Sequence, residues 1–235
     1  MPRHIGIVAC SAEGASLCYR TICVEGPGFL GAAYAHPEVS MHTPSLADYT
    51  ECLHRADWAG VGELMLASAR KLASIGAEFL VCPDNTIHRA LPGVRPRSPL
   101  PWLHIAEVVA ARAAERGFRR VGVTGTRWLV ESDVYPHALA ARGIESVRPD
   151  AVDREALNRI IMDELVRGAV EPASVACLQR MIEGLARKGC DAVVLGCTEL
   201  PLVLGDENSP LPTLDSTRLL ARAALRHAVS PDGTA

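Results

Sequence analysis

Two passages of this 235-residue chain lie over one another without a gap, Ala73 to Thr86 (ASIGAEFLVCPDNT) and Ala186 to Glu199 (ARKGCDAVVLGCTE), and the overlay sets Asp84 opposite Cys197. Each copy reads as a helix C-terminus closed by glycine, a short apolar strand, and an abrupt polar tip whose side chain can move a proton. A carboxylate and a thiol at matching strand ends suit proton transfer at carbon, because each is charged when it removes a proton and neutral when it donates one. A thiol where a strand ends and a helix begins also gains from the helix dipole, which favours the thiolate. The bland account of Cys197 is a buried structural thiol, and that of Asp84 is a helix cap, since Asp, Asn and Thr all serve well there. Cys82 is the rival for the first position: in the overlay it pairs with Leu195, a core strand residue, unless Pro83 bulges the backbone and brings it forward.

The neighbours have chemistry of their own. Asn85, Thr86 and Thr198 offer amide and hydroxyl groups beside two expected helix N-termini, a setting that holds a carboxylate. Glu199 is grouped with them in the second tip. The turn Ser11 to Ser16 after the first strand, and Thr126 after Gly125, fall at equivalent strand ends. Arg167, at the end of its helix, could reach an anionic substrate. His42, His88 and His104 fit no ligand spacing, so no metal is expected.

The elements that must position these groups follow a βα rhythm, with apolar runs of four to six residues between segments of helical period, as in α/β folds built on parallel sheets. Strands are expected at Ile5 to Ala9, Val39 to His42, Phe79 to Val81, Val121 to Thr124, Ser146 to Val147, Ala192 to Leu195, and near Leu214. Helices are expected at Trp58 to Ile75, from an Asp153 cap towards Gly168, at Pro172 to Lys188, at His104 to Arg116 and at Ser216 to His227. The stretch from Pro92 to Pro101 holds four of the sixteen prolines and reads as a loop that could act as a lid. A crossover is placed after it. Residues 1–112 with 215–235 would form a first α/β domain and residues 113–214 a second, each contributing one tip to a cleft beyond the strands' C-terminal ends.

With 49% apolar residues the chain can fill its own core. A net charge of -3, with 24 basic residues dispersed among 27 acidic ones, gives no field to gather phosphates, so nucleic acid is not an expected partner. No run approaches the ~20 apolar residues of a membrane span. The apolar stretch at the N-terminus reads as a buried strand, and a cytoplasmic location is expected. The eight cysteines include no Cys-x-x-Cys pair, and most read as small buried hydrophobes.

Together these residues resemble the PLP-independent aspartate/glutamate racemases. The likeness runs through Ile5-Gly-Ile-Val8, Asn85-Thr-x-His88, Leu103-His-Ile105, Val121-Gly-Val-Thr-Gly-Thr126, Ile161-x-Asp-Glu-Leu-Val-Arg-Gly168, Leu214-Asp-Ser-Thr-Arg218 and, most specifically, Leu195-Gly-Cys-Thr-Glu-Leu-Pro-Leu202. The resemblance implies two Rossmann-like domains related by a pseudo-twofold, an active site in the interdomain cleft, two opposed acid/base residues, no cofactor and a homodimer. It implies that Cys197 is the second acid/base residue, that Asn85, Thr86, Thr126 and Thr198 hold the substrate carboxylate, and that Arg167, where relatives carry Lys, meets a side-chain carboxylate. Members usually carry Cys, sometimes Thr, immediately before Asn-Thr; this chain carries Asp84. The expected activity is a two-base racemase of aspartate- or glutamate-like amino acids. A decarboxylase or isomerase of another small acid on the same fold is the alternative, and a non-catalytic small-acid-binding protein is a third reading of another class. Trp102 and Trp128 would favour a bulkier apolar side chain.

Overall fold

The structure, a computed structural model, describes residues 1–230. It divides into two compact units, one comprising Met1–Val108 and the chain from Thr217 onward, the other Val109–Ser216.

In the first unit β1 (Ile5–Val8) leads to α1 (Ala12–Leu30), β2 (Val39–His42), α2 (Leu46–His54), α3 (Trp58–Ser74) and β3 (Phe79–Val81). The strands pair in parallel in the order β2-β1-β3. Both β1 and β3 are buried along their whole length, as parallel strands covered on both faces must be. The core joins Ile5, Ile7, Phe79 and Val81 to Cys18 and Ile22 of α1 and to Leu220, Ala224 and Leu225 of the C-terminal helix. Helix α3 buries Val61, Met65, Leu66, Ala69 and Leu72, together with the polar Ser68. Gly76 ends the helix at a φ of 93°, a conformation glycine adopts without penalty.

Of the stretch expected as a loop, residues 92–97 are helical and residues 98–101 are irregular. After β3 come a 3-10 turn, Thr86–Ala90, then α4 (Leu91–Val94) and a second 3-10 turn, Arg95–Arg97. Pro92 and Pro96 occupy first-turn positions, where a missing N–H leaves no bond unmade. Both guanidinium nitrogens of Arg95 bind Glu107 at 3.1 Å, and Arg97 pairs with Glu63, so this segment is tied down at both arginines. The helix expected over His104 to Arg116 is α5 (Ile105–Glu115).

The second unit repeats the plan with β4 (Arg120–Thr124), α6 (Arg127–Val130), α7 (Val134–Ala140), β5 (Glu145–Val147), α8 (Ala151–Arg159), α9 (Pro172–Arg187), β6 (Ala192–Leu195) and β7 (Thr213–Asp215), before α10 (Ser216–Val229) closes the described chain. Its parallel sheet runs β5-β4-β6-β7. The first three strands repeat the order of the other unit, and the fourth has a rudiment there: Leu80 of β3 bridges Trp102 in parallel. Leu157, Ile160, Ile161, Leu165, Leu178, Ile182, Val193 and Leu195 share a core.

Two details around α8 differ from expectation. The helix starts three residues early, with Asp150 rather than Asp153 at the cap position and Asp153 within the first turn. Beyond Arg159 the coil widens into a π-helical turn, Ile160–Glu164, then tightens into a 3-10 turn, Leu165–Arg167, that ends at Gly168 with a φ of 75°. The wider turn lets Leu157, Ile160, Ile161 and Leu165 all reach the core, while Val166 is exposed.

Candidate active site

The second tip is built by close backbone approach. Gly196 follows β6 and donates its N–H to the Thr124 carbonyl at 3.0 Å. A Cβ there would run into that carbonyl and come within 2.6 Å of Leu129 Cδ2, so only glycine lets the chain turn at this point. The turn presents Cys197, half-buried, with its Sγ donating to Glu199 Oε2 at 2.9 Å. The Thr198 hydroxyl donates to the same oxygen, also at 2.9 Å. Glu199 is 4% exposed. A buried carboxylate is costly unless hydrogen-bonded, and here two side chains of its own tip satisfy one oxygen. Glu199, expected in the sequence among the substrate binders, accepts from the thiol, and the Thr198 hydroxyl donates to the same oxygen.

The first tip is held differently. Strand β3 stops at Val81, one residue sooner in the overlay than β6, and Pro83 follows without an N–H to extend the ladder. Asp84, half-buried, accepts at Oδ1 from the backbone N–H groups of Thr86 at 3.0 Å and Ile87 at 3.3 Å, thereby closing the start of the 3-10 turn. The capping account of Asp84 is therefore realised in the geometry. Asn85 and Thr86 are buried beside it, and the Thr86 N–H is committed to Asp84.

Cys82, just past the end of β3, is fully buried, as the overlay with the core residue Leu195 suggests. Burial pushes its thiol well above the usual range, and the Asp84 charge adds to the effect. Its carbonyl accepts from His88 Nε2 at 2.9 Å, which fixes the proton of that imidazole on Nε2. His88 is buried edge-on against His104, 4.5 Å between ring centres. Burial holds both rings neutral, His88 far below the usual imidazole value and His104 at about 4. His88 thus anchors the tip from behind, a role its spacing from Cys82 did not announce.

The remaining expected residues are spread over the two units. Ser11 caps α1, accepting from Gly14 N at 3.2 Å. Because α1 begins at Ala12, Ser16 lies within that helix, exposed, with its hydroxyl on the Glu13 carbonyl, and not in a turn at the strand end. Thr126 immediately precedes α6. Arg167 is exposed at the last position of its 3-10 turn. Among the described residues no cluster of three His, Cys, Asp or Glu side chains could hold a metal ion. Nor is any described helix long and apolar enough to cross a membrane.

A thiol on a buried carboxylate follows one strand, and in the other unit a carboxylate stands at the matching place after its strand, on a duplicated parallel α/β plan. The family model for Asp/Glu/hydantoin racemase matches residues 30–224. The broad specificity amino-acid racemase RacX of Bacillus subtilis is 26% identical over 82% of this chain and 81% of its own length. Glutamate racemase of Thermus thermophilus is 32% identical over 64% of this chain, which spans about half (55%) of that enzyme. Among solved structures, one from Yersinia pestis named for Asp/Glu racemase superposes with a TM-score of 0.89 at 30% identity, covering 97% of this chain and 100% of that one. An aspartate racemase homologue from Pyrococcus horikoshii superposes at 0.83 with 27% identity, covering 98% and 100%. The chain belongs to the Asp/Glu/hydantoin racemase family, isomerases that act without pyridoxal phosphate.

Proposed function

We propose that this chain interconverts the enantiomers of a small amino acid by moving its α-proton, with Cys197 and Asp84 as the two proton-carrying groups. The observation that carries the reading is the 2.9 Å contact between the Cys197 thiol and the buried Glu199 carboxylate. The thiol proton passes to Glu199 Oε2, the thiolate takes the α-proton from one face of the substrate, and Asp84 returns a proton to the other. Thr198, donating to the same Oε2, offsets charge on Glu199 and leaves that oxygen placed for the thiol.

Without an imine to spread the charge, the carbanion-like centre depends on hydrogen bonds to the substrate carboxylate, assigned in this reading to Asn85, Thr86 and Thr126. Arg167 would receive a side-chain carboxylate. Cys82, buried and held neutral, is set aside as the first acid/base residue. The same reading makes the enzyme a cytoplasmic homodimer, a state that sedimentation velocity measures.

The test is solvent deuterium incorporation at the α-carbon across a panel of L- and D-amino acids that includes aspartate and glutamate, the breadth of the panel following the name of RacX. Exchange from both enantiomers of one amino acid is expected; none from any member overturns the reading.

The grip of two backbone amides on Asp84 Oδ1 favours a second reading, in which Asp84 only caps the turn and Cys197 alone moves the proton, in a decarboxylation or isomerisation. Asp84→Asn keeps the acceptor but cannot transfer a proton. Activity retained in Asp84→Asn and lost in Cys197→Ala supports that alternative.

A further inference from the structure

The overlay of the two tips sets Cys82 opposite Leu195, each two residues before the proton-carrying group of its own tip. Both residues are buried, and the carbonyl of each takes a hydrogen bond from a buried side chain. His88 Nε2 donates to the Cys82 carbonyl at 2.9 Å, and the Ser216 hydroxyl donates to the Leu195 carbonyl at 2.8 Å. His88 and Ser216 are each 1% exposed, and His88 Nδ1, buried as well, has no hydrogen-bond partner. The one hydrogen bond of that ring is therefore the one it makes to the tip.

The two donors are not equivalent in the sequence. His88 lies six residues beyond its carbonyl, in the 3-10 turn Thr86–Ala90, and Ser216 lies 21 residues beyond its own, at the start of α10. Unlike side chains from unlike elements meet the same carbonyl, so what the tips share is the restraint and not the residue. That restraint acts on a rigid peptide plane at the point where the chain leaves the strand. In the second tip the plane joins Leu195 to Gly196: Ser216 holds its oxygen, and its N–H donates to the Thr124 carbonyl at 3.0 Å. In the first tip the plane joins Cys82 to Pro83, which has no N–H, so the grip on the oxygen by His88 has no counterpart on the other side. The Cys82 thiol adds a weak contact to the Asp84 carbonyl at 3.9 Å.

We propose that His88 and Ser216 are matched positioning residues, each fixing the reach of one proton-carrying group, Asp84 and Cys197 respectively, through the carbonyl two residues before it. Neither touches the substrate. Proton transfer at carbon needs the reacting atoms within about 3–3.5 Å, and a misplacement of about 1 Å costs on the order of 100-fold. Releasing either carbonyl frees its peptide plane to turn and swings the tip that follows. Because Pro83 leaves the first plane with one restraint fewer, loss of the His88 donor is the costlier change.

The inference rests on the two-base racemase reading, and its test separates the two. In such an enzyme each enantiomer loses its α-proton to a different group, so weakening one group raises the α-deuterium isotope effect on kcat/KM for the enantiomer it serves and lowers it for the other. The probes are the α-deuterated L- and D-forms of whichever panel amino acid exchanges fastest. His88→Leu is expected to lower kcat/KM about 100-fold and Ser216→Ala about tenfold. Their isotope effects should move in opposite senses, with Ser216→Ala following the sense of Cys197→Ser. His88→Gln and Ser216→Thr keep a donor and should stay within about threefold of wild type. A fall of less than twofold in both donor-less variants, or isotope effects that move in the same sense in the two, overturns the inference while the racemase reading stands. Ser216→Ala removes a single oxygen atom and leaves the backbone in place, so if His88→Leu does not fold, Ser216→Ala decides alone: an isotope effect unchanged for both enantiomers overturns the inference. A wild-type enzyme that exchanges no amino-acid α-proton removes the racemase reading and this inference with it.

Discussion

Asp84 and Cys197 differ in what holds them: backbone amides grip the carboxylate, while the thiol leans on another side chain. Substitutions can therefore separate structure from chemistry at each. Asp84→Asn preserves the capping acceptor and should melt close to wild type while losing racemisation. Asp84→Ala loses the cap as well, at a cost of about 1 kcal/mol, and should melt about 2–4 °C lower by calorimetry. Glu199→Gln still accepts from the thiol but cannot take its proton, so kcat should fall about 100-fold or more with little change in the circular dichroism spectrum. His104, half-buried against His88, sets a pH dependence of stability. When unfolded, His104 binds a proton below about pH 6.5, whereas in the folded protein it does so only near pH 4. The unfolded state thus takes up protons first as pH falls. The stabilisation is complete above about 6.5 and is lost towards pH 4, amounting to about 3 kcal/mol for this residue. Urea titrations at pH 7 and pH 4.5 should show the loss, and His104→Gln should show less of it. The positions of Asp84 and Cys197 were legible because the overlay needs only residue types in order. The Glu199–thiol contact was not, because side-chain direction within a tip leaves no mark in spacing.

At the scale of elements, the repeat predicted more than a pair of tips. Strands β2, β3 and β6 fall where alternation and apolar runs placed them, and the shared orders β2-β1-β3 and β5-β4-β6 show the duplication in the sheets themselves. Less legible were segments whose local signals compete. Proline density between Pro92 and Pro101 suggested a loop, yet prolines at first-turn positions are compatible with short helices. Asp150 and Asp153 are equally good caps by type, and only packing of Leu157 and Ile160 selects the earlier one. The π turn at Ile160–Glu164 likewise answers to the core and not to propensity. Where an element depends on backbone contact, substitution should be severe. Gly196→Ala must force apart β4 and the turn after β6, an overpacking cost of about 1–3 kcal/mol, and should displace Cys197 enough to lower activity as well. A thermal shift measured beside kcat tests both parts.

For the molecule as a whole, the chain's two ends belong to one unit. Leu220, Ala221, Ala224, Leu225 and Ala228 of α10 complete the core that Ile5, Ile7 and Phe79 begin, and the Arg222 guanidinium grips Glu25 of α1 through two nitrogens at 2.8 and 2.9 Å. Leu220→Ala should cost about 2–5 kcal/mol. By hydrogen–deuterium exchange, the loss should fall on β1, β3 and α1 and spare β4, β6 and α9, which have a core of their own. The order of synthesis gives this arrangement a kinetic side. A ribosome adds about 5–20 residues per second, so on the order of ten seconds separate the emergence of Val108 from that of α10. Throughout that interval the first-made strands lack their closing helix, and the later-made unit is completed by β7 just before that helix emerges. The part of the protein born first is thus the last to finish, and its exposed strand surfaces are where a nascent chain of this family most needs protection from aggregation.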